Sequence, residues 1–309
     1  QVEGWQGRHA CVNCGYCNGW GCPNGAKSST SATVIKAAVA TGRCDVRAES
    51  CAVKVELGPN GRARSVLYLD RDFNLVEQPA RLVILACSTV DTPRLALLSG
   101  IPDASGMIGR NLTVHHNPSA VVQITDGVHA WDTYRGAWNT ISCDDFQDLS
   151  DRRDLPAGIV YPRGGVVSTS GNSPGYPLGT GGPISLAVSL IKPPGFYGGG
   201  GNGFAPVGQW GAGFFQAMAG AYGTQAYLLG VCEDLPRAEN RVDLDPDVKD
   251  VYGLPVARVT YANHPNDVLV GAYVSNGMVP LGEAMLRAIG ATGTVGITAV
   301  SYTHLTLPT

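Results

Sequence analysis

Residues 82–100 read Leu82-Val83-Ile84-Leu85-Ala86-Cys87-Ser88-Thr89-Val90-Asp91-Thr92-Pro93-Arg94-Leu95-Ala96-Leu97-Leu98-Ser99-Gly100. The first five are apolar at every position, the pattern expected of a central parallel strand covered on both faces. The chain then passes through the small residues Cys87, Ser88 and Thr89 into a Leu-rich run. There Asp91 or Thr92 can cap a helix, and Pro93 suits its first turn. Strand, tight turn and helix form the geometry that presents unpaired helix amides to a phosphate. Such units also occur throughout α/β proteins without any ligand.

Working outward, Cys51–Leu57 and Arg64–Leu69 flank Pro59-Asn60-Gly61 and predict a β-hairpin. Before them, Ser28, Ser29 and Thr30 offer an N-cap to a helix over Ala32–Ala40, and Gly42 stands where a C-cap belongs. After Gly109-Arg110-Asn111-Leu112 the chain turns to short strands and long Gly/Pro loops, among them Gly195–Gly203. The change predicts a second, mainly antiparallel domain with its boundary near His115. Within it, Arg241–Leu244 and Val256–Tyr261 should pair around a turn at Tyr252-Gly253. A helix should start near Pro265-Asn266-Asp267, with Pro280 kinking or splitting it. The fold class is mixed α/β (α+β), divided into 1–114 and 115–295. Residues 300–309 fit no preceding pattern and read as a non-native tail.

Composition narrows the function. A net charge of −3 with 15% charged residues provides no basic field for nucleic acid or an anionic membrane. No apolar run approaches the roughly 20 residues of a membrane-spanning helix. The 44% apolar content supports a substantial core, and 41 glycines with 20 prolines suit a loop-rich enzyme. The start, Gln1-Val2-Glu3-Gly4, shows neither an initiator Met nor an export signal, so the compartment is open between periplasm and cytoplasm.

Four of nine cysteines crowd into residues 11–22 as Cys11-x-x-Cys14-x-x-Cys17-x-x-x-x-Cys22-Pro23. Four thiolates at this spacing can wrap an iron-sulfur cluster, although the last gap is one residue longer than in the bacterial ferredoxin run. Packing or disulfide roles account for the same residues. Gly198–Gly201 lacks the Lys-Ser/Thr of a phosphate loop, and His9, His129 and His264 stand without metal-ligand spacing. Arg241 and Asp243 read as a solvated strand edge or a structural ion pair, without chemistry of their own.

Cys14-Gly15-Tyr16-Cys17 with Gly21-Cys22-Pro23-Asn24-Gly25-Ala26-Lys27, the 86–100 segment, and Gly106–Leu112 together resemble the glucose-methanol-choline (GMC) oxidoreductases, notably gluconate- and sorbitol-type dehydrogenase subunits. Further matches at Asp234-Leu235-Pro236, Asn240–Pro246 and Gly253-Leu254-Pro255 extend the resemblance over most of 8–295. It implies that 1–114 is part of a Rossmann-like FAD-binding domain and that 115–295 is a substrate domain with a return segment. It also implies that Val53 meets the adenine through its amide and carbonyl. Ala86, Cys87, Ser88, Thr92 and Pro93 would line the cofactor, where small side chains allow close backbone approach. Cys11, Cys14, Cys17 and Cys22 are its candidate iron-sulfur ligands. His115-His116 fits the family's histidine placement but is not the catalytic pair.

The implied reaction is hydride transfer from a CH–OH carbon of an alcohol, polyol, sugar or sugar acid to FAD, with electrons passed to a non-NAD acceptor. A separate small subunit and a cytochrome or quinone acceptor are the implied partners. Neither the family's GxGxxG motif nor its His-rich catalytic segment, expected just after residue 295, occurs here. The chain therefore reads as an internal fragment with no catalytic residue of its own. An iron-sulfur electron-transfer module and a noncatalytic relic are the alternatives.

Overall fold

A computed structural model describes residues 8–12, 22, 24–131, 141–170 and 223–298. The expected tail, Gly195–Gly203, Cys14 and Cys17 lie outside these residues. A short helix α1 (Val34–Ala40) is prepared by Ser29, whose Oγ accepts from the Ala32 N–H at 3.2 Å, and by Thr33, whose hydroxyl donates to the Ser29 carbonyl at 2.7 Å. Gly42 follows in the left-handed region at φ +68°, a conformation without steric cost only for glycine.

The chain packs as two units, each assembled from separated segments. One unit joins 39–114 with 235–262, so the second strand pair expected in the 115–295 domain returns to the first. Strands β1 (Cys51–Leu57), β2 (Ala63–Leu69) and β3 (Leu75–Pro79) form an antiparallel meander in that order. Gly61, at φ +72°, makes the expected first turn. Helix α2 (Ser88–Leu98) packs on β1 and on a hairpin of β8 (Arg241–Lys249) and β9 (Pro255–Thr260). Leu112, Val242 and Tyr261 form a small buried cluster. Beside it, Asn240 substitutes for a backbone pair: its Oδ1 accepts from the Ala262 N–H at 2.9 Å and its Nδ2 donates to the Ala262 carbonyl at 3.0 Å.

Two expectations for the 82–100 stretch change. Residues 82–86 form no strand, and Leu82 and Ile84 are 75% and 79% exposed. A strand exists only through hydrogen bonds to a neighbour, and among the described residues none pairs with this segment. Helix α2 also begins at Ser88 rather than near Asp91, which places Pro93 inside the helix and not in its first turn.

Among the described residues, the other unit contains a five-stranded antiparallel sheet ordered β10-β4-β7-β6-β5. Its strands are β4 (Ser119–Ile124), β5 (Ser142–Cys143), β6 (Gly165–Ser170), β7 (Gln225–Cys232) and β10 (Gly293–Thr298). Helix α3 (Pro265–Ala288) packs on β4, β7 and β10. Val270, Val274 and Met278 on its inner face bury against Ala120, Val122 and Leu228. The His264 Nδ1 caps α3 by accepting from the Asn266 N–H at 3.1 Å. Asn266 then holds a loop: its Oδ1 accepts from the N–H groups of Val160 and Tyr161, each at 2.9 Å. Pro280 does not split the helix. Both Pro280 and Asn276, whose carbonyl loses its partner, lie on the exposed face where water can replace the bond.

Candidate functional site

Strand β1 supplies one wall of the expected nucleotide site. Its register against β2 shifts between Ala52 and Lys54, leaving Val53 with no Cα partner on β2. A bulged residue of this kind is removed from the ladder and its backbone is re-aimed. Two residues on, the Val55 N–H donates to the Ser99 Oγ at 2.8 Å, away from β2 and toward helix α2. Ser99 in turn donates to the Leu95 carbonyl at 2.5 Å. The Ser-Gly that ends the quoted stretch therefore has two structural tasks: Ser99 ties α2 to β1, and Gly100 ends the helix at φ +62°. Sequence reading recognised this dipeptide as part of a motif and missed the bond.

At the opposite end of α2, Ala86, Cys87 and Ser88 are exposed, so their backbone is open to a ligand. Thr92 closes this turn rather than capping the helix, because its Oγ1 accepts from the Cys87 N–H at 3.0 Å. Ser88 lies at φ +78°, a left-handed conformation that costs a non-glycine residue about 1 kcal/mol or more. Pro93 is half-buried in the following turn. Small residues, a left-handed turn and an open helix start provide the close backbone approach that a nucleotide cofactor needs. The small, exposed residues of this turn fit an FAD approaching along the backbone. Arg94 fixes the helix through an ion pair to Asp250 and a 2.9 Å bond from Nε to the Pro255 carbonyl.

A separate open cavity of about 320 Å³ is lined by Glu49, Ser50, Cys51, Leu69, Asp70, Arg71, Phe73 and Tyr252. It contains none of the expected cofactor residues. Burial raises the Cys51 thiol above its ordinary pKa, against the pull of Arg94.

The described ends of the cysteine loop are tied together. Asn24 Nδ2 donates to the Ala10 carbonyl at 3.0 Å, while Arg8 donates to the carbonyls of Gly25 and Ala26. The Cys22 thiol donates to Asn24 Oδ1 at 2.9 Å. Burial opposes ionisation of Cys22, yet the surrounding amides of Lys27, Asn24, Ala26 and Gly25 hold its pKa below the ordinary value. Cys11 is half-buried. Among the described residues, no three His, Cys, Asp or Glu side chains converge as a metal would require.

The remaining polar features have structural roles. Asp243 accepts from Arg241 at 2.9 Å and from Arg258 at 2.8 Å, and these bonds hold its carboxyl below the usual range. His129 pairs with Asp126 at 2.9 Å. His116 is buried, whereas His115 is exposed. Among the described residues no helix is long and apolar enough to cross a membrane.

Residues 5–117 match the family described as GMC oxidoreductase. Over 286 residues the chain is 28% identical to the "Gluconate 2-dehydrogenase flavoprotein" of Pantoea cypripedii, covering 89% of this chain and 42% of the relative. It is 26% identical to the "2-methyl-1,2-propanediol dehydrogenase" of Mycolicibacterium austroafricanum, covering 89% of this chain and 45% of that protein. The chain thus spans less than half the length of either relative. A solved formate oxidase from Aspergillus oryzae aligns with 75% of this chain and 43% of its own at 14% identity, with a TM-score of 0.44. Over residues 5–117 the chain is thus similar to the GMC oxidoreductases, and relatives follow it along nine-tenths of its length.

Proposed function

We propose that this chain forms part of an FAD-dependent dehydrogenase that oxidises a CH–OH group of an alcohol, polyol, sugar or sugar acid. The observation that carries this reading is the exposed turn at 86–88, with a left-handed Ser88 at the start of α2, inside the segment that matches the family. Both named relatives are dehydrogenases, one designated a flavoprotein, and that supports a flavin as hydride acceptor with electrons leaving to a non-NAD acceptor.

Bound FAD supplies the hydride-accepting ring. Val53 offers backbone groups to the adenine, while Ala86, Cys87 and Ser88 let the main chain approach the cofactor closely. Thr92 fixes their turn, and Pro93 holds the helix behind it. No catalytic base is assigned among these residues.

The test is anaerobic reduction of the FAD-loaded protein, expressed with its native flanking sequence, by a panel of polyols and sugar acids without nicotinamide. Bleaching of the flavin by at least one member supports the reading. An FAD-loaded protein that no CH–OH compound reduces overturns it.

A second reading concerns Cys11, Cys14, Cys17 and Cys22 as iron-sulfur ligands, favoured by the closed loop base and by the lowered Cys22 thiol. In that case electrons would pass singly to a cytochrome or quinone, and a separate small subunit would complete the assembly. Iron and acid-labile sulfide in anaerobically purified protein support it. Protein lacking both contradicts it.

A further inference from the structure

One buried titratable residue has no part in the proposed chemistry. His116 is 5% exposed, and its Nδ1 is buried without a hydrogen-bond partner among the described residues. Its carbonyl accepts from the Cys232 N–H at 2.9 Å, fixing it at the end of β7, and β4 begins three residues later. The imidazole packs directly on Gly271 in α3. A Cβ placed on Gly271 would lie 2.2 Å from Nε2, so the helix approaches the ring only because this position is glycine.

The titratable groups facing the ring come from each packed element. Asp267 lies one turn before Gly271 on α3, and Asp234 follows the end of β7; both act electrostatically on the imidazole. Cys232 on β7 is buried, and its thiol is pushed up to about 12, chiefly by burial, so it contributes no charge near neutrality. His115, the sequence neighbour, is exposed.

We propose that His116 is a proton-operated joint between the first turns of α3 and the β4–β7 face of the sheet, holding while the imidazole is neutral and loosening when it is protonated. Protonation adds a charge and a second N–H donor in a buried contact where, among the described residues, Nδ1 meets no acceptor. Burial lowers its pKa, against the opposing pull of Asp234 and Asp267. Gly271 leaves the ring no space toward the helix. Because Asn266, five residues before Gly271 on the same helix, ties α3 to Val160 and Tyr161, loosening there also frees that loop.

The sign follows from linkage. Above the unfolded-state value of about 6.5 the ring is neutral in both states and the joint contributes fully. Below it the unfolded chain takes up the proton first, so stability falls as pH drops toward the lowered folded value. One proton limits the effect to about tenfold in the folding equilibrium per pH unit.

The test combines an NMR titration of histidine-labelled full chain with urea unfolding of wild type and His116→Asn from pH 8 to 5. The expected result is an imidazole that titrates below the ordinary histidine value of about 6.5 and is absent from the variant. Below pH 6.5 the wild-type folding constant should also fall by up to about tenfold per pH unit relative to His116→Asn. An imidazole titrating at or above the ordinary histidine value of about 6.5, or a wild-type to variant ratio constant from pH 8 to 5, overturns the proposal. If His116→Asn does not fold, the wild-type titration decides alone.

Discussion

Replacing Ser99 by Ala tests whether one hydroxyl joins the two walls of the candidate site. Ser99 is 7% exposed and Val55 is 2% exposed, so water cannot substitute when the 2.8 Å bond is lost. The Leu95 carbonyl keeps the Ser99 N–H as a partner at 3.0 Å, which confines the loss to the Val55 amide. An unsatisfied buried donor costs about 1–3 kcal/mol. At roughly 2–4 °C per kcal/mol for a chain of this size class, the melting midpoint should fall by roughly 4–8 °C for a loss near 2 kcal/mol. Far-UV circular dichroism during thermal and urea unfolding measures the change. Ser99→Thr, which retains the hydroxyl, should recover most of it. A Ser99→Ala protein within about 0.5 kcal/mol of wild type, the spread of ordinary surface substitutions, would refute the reasoning.

Ser88→Gly should stabilise the chain by about 1 kcal/mol, because φ +78° strains serine and not glycine; an unchanged or lower unfolding midpoint contradicts the strain. Asp126 accepts from the N–H groups of His129, Val128 and Thr292, and these bonds hold its carboxyl well below the usual range. Its contribution is therefore complete above the unfolded value of about 3.9 and is lost as pH falls below it. Asp126→Asn should flatten the acid limb of the urea-midpoint profile, and an acid limb parallel to wild type would remove Asp126 from the account.

The parts legible in the sequence were those governed by local chemistry. Pro59-Asn60-Gly61 and Tyr252-Gly253 marked their turns because few residues adopt such conformations, and the flanking strands followed. Pro265-Asn266-Asp267 announced α3 through its first-turn preferences. Leu82–Ala86 was misread because an apolar run reports a capacity for burial and does not identify the partner that would bury it. Strand β3, with only Leu75 and Val76 as its apolar start, was missed since Leu75 is exposed and no alternation shows. At the site, small residues identified the turn, but Thr92 was read as a cap when it binds the Cys87 amide, a contact set by side-chain direction. The Ser99–Val55 bond spans 44 positions and leaves no local periodicity to find.

Flavin content measures most directly whether these residues help hold FAD. Protein expressed with its native flanking sequence and reconstituted with FAD should retain about one FAD per chain after gel filtration, releasing it on denaturation. Protein that folds and emerges without flavin would contradict the account.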